Sequence, residues 1–198
     1  MTLWFVARAA GFMAMLGATV AICLGATASG STDATRRLLT QLAHRSAAVV
    51  TLSLLALHAA LLVVDSHVAI SVPGALVPFT AGYRAVAVGL GTLGMYCLVV
   101  VAITGALRGR LAGSARAARW WRPVHAIAYA VWPLAILHGI FAGTDTGTWW
   151  AWSLYGGSAG AVVLAVWWRL VAEERHLAGQ VAVRRQQHRA LDSAGRRS

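Results

Sequence analysis

Lysine is absent from the chain, and acidic side chains are scarce: six Asp and Glu against 17 arginines in 198 residues. The missing lysine reflects base composition more than physics. The imbalance nevertheless leaves a formal net charge of +11. That charge gathers in particular loops and the tail, with no aromatic-interleaved basic patch, which argues against nucleic acid as a partner and for membrane orientation. Only two cysteines occur, Cys23 and Cys97, each inside an apolar run. Two are too few for a disulfide scaffold or a zinc site, and both read as small core residues. Phosphate loops, dinucleotide fingerprints and hydrolase triads are missing. So are internal repeats and low-complexity segments, apart from a polar, Arg-rich tail from about Glu173 onward. Charged residues make up 12% of the chain and hydrophobic residues 59%, a balance that excludes a soluble domain.

What remains is a set of long apolar runs. A bilayer core about 30 Å thick needs roughly 20 apolar residues as helix. Residues 9–28, 46–64, 85–107, 124–142 and 148–168 qualify, and none of the five runs contains Asp or Glu. They lack the period-2 alternation of barrel strands. The fold class expected is therefore an all-α integral membrane protein, a bundle of five transmembrane helices. Arginines orient it. Arg36 and Arg37 lie between spans one and two, and Arg108, Arg110, Arg116, Arg119 and Arg122 between spans three and four. Seven more follow span five, whereas Arg84 is the only arginine in the other two loops. The positive-inside rule then puts the N-terminus outside and the C-terminus in the cytoplasm. Trp120, Trp121, Trp149, Trp150, Trp152, Trp167 and Trp168 fall near span ends, as an aromatic belt should. Arg8, the apolar stretch after it and "ATA" at 26–28 imitate a secretory signal. Cleavage there would put Arg36 and Arg37 on the wrong side, so span one is kept as a helix.

Two of these spans carry histidines, which are costly at bilayer depth and usually mark a functional path. Span two has His44 and His58; span four has His125 and His138 in "HAIAYAVWPLAILH". Both spans run from inside to outside, so His44 and His125 share one depth and His58 and His138 another. The pairs lie about 21 Å and 19.5 Å apart along their helices. Two histidines facing each other from neighbouring helices can hold one iron by both axial positions, and two such layers make a stack of two hemes. With both axial positions taken, the expected chemistry is outer-sphere electron transfer. One detail does not fit an ideal helix. Fourteen residues fall roughly 40° short of four turns, but thirteen fall about 140° short, so His125 and His138 should not share a face. Distortion near Pro133, or a heme approached from a different side, is expected to absorb the mismatch.

These spacings, H-x13-H at 44–58 and H-x12-H at 125–138, resemble the ferric reductase-like transmembrane domain. That superfamily includes ferric reductases, NADPH oxidases and the heme subunit of the bacterial methionine sulfoxide reductase system. "ARAAG", "VPF" with "YR", "WWRPVHAIAY" and "HGIFAGTDT" add local likenesses, and the match covers most of residues 3–170. The resemblance implies an inner heme b on His44 and His125 and an outer one on His58 and His138. Five spans appear where six are common, and no FAD or NAD(P)H site follows span five. The resemblance therefore implies a separate flavoprotein or a membrane quinol as electron donor.

The remaining candidates carry ordinary alternatives. Arg8 and Arg84, at the outer ends of spans one and three, can pair with heme propionates or an anionic acceptor, or snorkel to lipid headgroups. Arg45 and Arg122 stand in the same position toward the inner heme. Asp65, His67 and Asp145 read as solvated loop residues that could also touch an acceptor. "VAISVPGALVPF" is apolar for a connection and lies in the interface or caps the outer heme. Tyr129 packs on a porphyrin or on protein. Gly89, Gly91, Gly94 and Gly105 allow close approach to span three. The tail is read as helical to about Arg189, with His176 and His188 solvated and its arginines suited to anionic headgroups or an acidic donor.

Residues 1–170 are thus expected to form a heme-binding transmembrane domain and 171–198 a basic cytoplasmic tail. The expected role is an oxidoreductase-like subunit of the inner (cytoplasmic) membrane. It would pass electrons to an extracytoplasmic acceptor: ferric iron, oxygen or a redox protein. The alternatives are a metal-cation or proton transporter using the intramembrane histidines, and a cofactor-free accessory subunit.

Overall fold

The computed structural model describes residues 2–28, 33–66, 68, 70–111 and 113–195; His67 lies outside these, as do the side chains of Arg122, His176 and His188. The described chain is helical, without strands. It comprises α1 (Thr2–Ala28), α2 (Ala34–Val64), α3 (Val72–Leu76), α4 (Ala85–Ala106), α5 (Arg108–Leu111), α6 (Ala115–His125), α7 (Ala128–Ala142) and α8 (Trp149–Gly195). Among the described residues five helical stretches are long and apolar enough to cross a membrane: Thr2–Ala28, Ala34–Val64, Ala85–Ala106, Arg119–Ala142 and Trp149–Gln186. Phe5, Val49, Val86, Phe141, Val163 and Trp167 all project outward, a surface compatible with a multi-pass membrane protein.

Small residues explain why the helices pack so closely. Ala7, Ala10, Ala14, Ala18 and Ala21 are buried at helical spacing on α1. Without large side chains there, α2 lies antiparallel along α1 in the most extensive helix contact of the molecule. Thr51 of α2, 2% exposed, meets α1 at Gly17. The second pair is α4 with α7, also antiparallel. Trp132 Nε1 of α7 donates to Thr19 Oγ1 of α1 (3.1 Å) and ties the two pairs together. Helix α8 packs on α1, where Met15, Ala151 and Tyr155 form a small core with Phe12.

Three boundaries differ from the expectation, each for a physical reason. Helix α2 begins at Ala34 rather than near residue 46, because Asp33 caps it, accepting from the Thr35 and Arg36 N–H groups (2.8 and 3.3 Å). Hydropathy marks the apolar length of a helix, not its whole length, so His44 sits inside a helix rather than at its end. Helix α8 continues through the tail as expected but ends at Gly195, six residues beyond the expected end near Arg189. Span four is two helices: α6 ends at His125, and Ala126 and Ile127 form a turn before α7. Bonds from Ile127 N–H to Val124 O, Tyr129 N–H to Ala126 O and Ala130 N–H to Ile127 O (3.1, 3.0 and 2.8 Å) tighten this turn. The distortion therefore follows His125 directly, while α7 continues through Pro133.

The apolar connection after α2 folds over the bundle end. Ile70 and Ala81 pack with Val88 of α4 and Leu62 of α2. Ser71 caps α3, the Thr92 hydroxyl donates to Ala75 O (3.0 Å), and the Tyr96 hydroxyl bonds Leu76 O. Phe79, with a left-handed backbone (φ 69°), lies against Gly89, where no side chain could stand.

Candidate functional site

The fold brings the four span histidines together in two pairs. His44 of α2 faces His125 at the end of α6, with ring centres 6.3 Å apart and planes crossing at 70°. His58 of α2 faces His138 of α7 at 6.2 Å and 83°. The pairing by depth inferred from the sequence is thus present in the structure, and α2 runs parallel to α6 and α7.

How thirteen residues match fourteen is explained by the turn after His125. Residues in such i→i+3 bonds rise about 2.0 Å and turn about 120° each, against 1.5 Å and 100° in an α-helix. Three of them stretch an ideal 19.5 Å to about 21 Å, the rise between His44 and His58. They also recover about 60° of the roughly 100° discrepancy, leaving the rest to helix bending and side-chain torsions.

Each ring is oriented through Nδ1. His58 donates to Ala7 O (2.7 Å), His44 to Ala21 O (2.8 Å) and His138 to Ala87 O (2.8 Å). A carbonyl only accepts, so Nδ1 carries the proton and Nε2 keeps its lone pair. His125 is held more loosely. The Thr104 hydroxyl donates to Val101 O (2.9 Å), leaving its oxygen to accept from His125 Nδ1 at 3.4 Å. Trp121 stacks on His125 (5.1 Å, 17°) and donates to Thr104 O (2.9 Å), and Arg108 covers the Trp121 ring at 5.1 Å. In both the α1–α2 pair and the α4–α7 pair, then, histidines of one helix are oriented by main-chain carbonyls of its antiparallel neighbour.

The chemistry of this donor set is narrow. A metal–imidazole nitrogen bond of about 2.0–2.1 Å, plus about 1.1 Å from nitrogen to ring centre, separates two trans imidazoles by about 6.2–6.4 Å. Both observed separations agree. Among the described residues no group of three His, Cys, Asp or Glu side chains assembles around a bare ion. Two imidazoles alone would leave a shared metal short of ligands, and a porphyrin would supply the remainder. Around the outer pair lies a cavity of about 190 Å³, open on one side and lined mainly by apolar residues, with Gly11, Gly91, Met95 and Tyr155 among them. Ile70 and Ala75 of the apolar connection line it as well, so that connection caps this cavity.

The two arginine candidates separate. Arg8 lines the outer cavity and forms an ion pair with Asp145, both side chains less than a quarter exposed. Its Nε is buried without a hydrogen-bond partner among the described residues, and Trp4 and Phe5 flank the guanidinium. Asp145 is consequently not a solvated loop residue. Arg84 is exposed and donates to Phe141 O (2.7 Å), near the C-terminal end of α7 where a cation is favoured. Arg45 is exposed, and buried Asp65 closes α2 with a bond from its N–H to Leu61 O (2.9 Å). The Tyr129 hydroxyl accepts from Arg169 Nη1 (2.9 Å). Sequence reasoning missed Ala7, Ala21, Ala87, Thr104 and Trp121. No family model, curated protein or solved structure matches the chain.

Proposed function

We propose that this chain is a membrane heme subunit carrying electrons between a cytoplasmic flavoprotein or quinol donor and an extracytoplasmic acceptor. The observation behind it is the pair of imidazole pairs, each spaced for one iron and set one above the other along α2. His44 and His125 would hold an inner heme b, and His58 and His138 an outer one. Bound there, heme supplies a reversible one-electron couple. Each electron accepted from a reduced donor leaves to an oxidised acceptor, so the chain stays chemically unchanged.

The residues do the rest. The carbonyls of Ala7, Ala21 and Ala87 hold three imidazoles in the tautomer that presents Nε2. Ile70, Ala75 and Val88 keep the outer cavity apolar. Arg8 lines that cavity with its charge balanced by Asp145 and its Nε–H unpartnered among the described residues, a donor suited to a propionate or an anionic acceptor. The arginine distribution supports an outside N-terminus and an inner membrane location, and the resemblance to ferric reductase-like domains points the same way. A carrier of bare cations would need more ligands per site than the two imidazoles at each depth.

The test is vectorial. Purified protein is reconstituted into liposomes enclosing ferricyanide, and dithionite is added outside. Reduction of the trapped ferricyanide should require the protein and should fall at least tenfold with His58→Ala. A rate equal to that of protein-free liposomes would refute the electron-carrier reading.

A further inference from the structure

Each of the four imidazoles rests on a glycine of the opposing helix, in three cases four residues beyond the carbonyl that holds Nδ1. His58 rests on Gly11 after Ala7, His44 on Gly25 after Ala21 and His138 on Gly91 after Ala87; His125 rests on Gly105, the residue after Thr104, whose hydroxyl faces its Nδ1. On α1 and on α4 alike the two glycines are fourteen residues apart, the same interval as His44 and His58. A residue and its fourth neighbour lie one above the other on a helix face. The carbonyl thus fixes one edge of the ring while the glycine lets the ring lie against bare backbone.

A methyl group at these positions would meet the ring at graded distances. From Gly91 a Cβ would stand 2.6 Å from His138 Nδ1 and 2.8 Å from its Cε1. From Gly11 it would stand 3.0 Å from both His58 Cε1 and Nδ1. Gly25 gives 3.2 and 3.3 Å to His44, and Gly105 gives 3.3 and 3.8 Å to His125. At Gly91 the ring has to leave its carbonyl; at Gly105 it need scarcely move.

We propose that Gly11, Gly25 and Gly91 are positioning residues that set the imidazole planes, keeping the two rings at each depth close to perpendicular. This rests on the bis-histidine reading above. The consequence is electronic. Parallel imidazole planes separate the two d orbitals of low-spin ferric iron that overlap the ligand π systems; perpendicular planes leave them nearly equal in energy. The paramagnetic signal of the oxidised protein then becomes strongly anisotropic, with an unusually high largest g value. The outer pair at 83° should show this more than the inner pair at 70°.

Electron paramagnetic resonance of the oxidised, full-length protein tests this without any turnover. Wild type should give two such signals, the outer one identified by its loss in His138→Ala. Gly91→Ala should remove the outer signal or shift its largest g value downward, and Gly11→Ala should do so more mildly. The inner signal should persist in both. Gly94→Ala is the control, because its Cβ would meet Leu134 Cβ at an ordinary 3.6 Å and no histidine; it and Gly105→Ala should leave the outer signal intact. Should Gly91→Ala not accumulate, Gly11→Ala carries the test. Unchanged signals at full heme content in both Gly91→Ala and Gly11→Ala would overturn this inference alone, as would equal changes in Gly94→Ala. Wild-type protein without heme would overturn the bis-histidine reading and this inference with it.

Discussion

Inserting one alanine between Ala126 and Ile127 should be tolerated, whereas the same insertion between Val50 and Thr51 should not. The first site is the tight turn that stretches thirteen residues to the rise of fourteen. An added residue there lets the segment relax to ordinary α-helix: fourteen residues rise about 21 Å and fall about 40° short of four turns, as α2 already does. His125 and His138 then keep their separation. The second site lies within regular helix between His44 and His58. There the insertion moves one histidine relative to the other by about 1.5 Å along the axis and 100° around it. For a ring about 6 Å from the helix axis, that rotation is a displacement of about 9 Å, far beyond what two trans ligands to one iron permit. The assay is heme content per chain, read from the pyridine hemochromogen, with thermal stability in detergent as a folding check. The α6–α7 insertion should retain both hemes and the α2 insertion at most one. Equal losses from the two insertions, in equally stable proteins, would refute the overwound-turn explanation.

Other outcomes follow from the same geometry. His58→Ala and His138→Ala should lower heme content alike while leaving the inner heme partly occupied; clearly unequal losses would count against the pairing. Thr104→Val removes the oxygen facing His125 Nδ1 and should weaken heme retention at the inner site by about tenfold, the low end for such supporting contacts because the bond is long. Competition with apomyoglobin measures that retention, and an effect confined to the outer heme would contradict it. The Arg8–Asp145 pair should show a coupling of about 1–3 kcal/mol in a double-mutant cycle of unfolding, below the ~3–5 kcal/mol lost on breaking a fully buried pair. Additive single substitutions would place the pair among those that contribute nothing.

The sequence was informative where apolar length and depth are the governing quantities. Five runs foretold five helical stretches of membrane length, and the numbering of His44, His58, His125 and His138 foretold which rings meet. It was uninformative where function rests on main-chain atoms. Ala7, Ala21 and Ala87 act through their carbonyls, so their side chains announce nothing. The glycines at 11, 25, 91 and 105 do leave a trace, an interval of fourteen residues on two helices that echoes the histidines of a third. That trace is visible only when separate spans are compared position by position. Asp145 looked like a loop residue because its partner, Arg8, lies at the other end of the chain. The turn after His125 was obscured by Pro133, the more conspicuous helix breaker, although α7 accommodates that proline.

The central claim is that each pair of imidazoles grips one heme iron. Its most direct test is the heme-to-protein ratio of the purified chain, measured with its reduced-minus-oxidised spectrum. Two hemes per chain with sharp six-coordinate, low-spin bands are expected. Colourless protein from heme-sufficient cells, or a single five-coordinate heme insensitive to loss of His58 and His138, would contradict it.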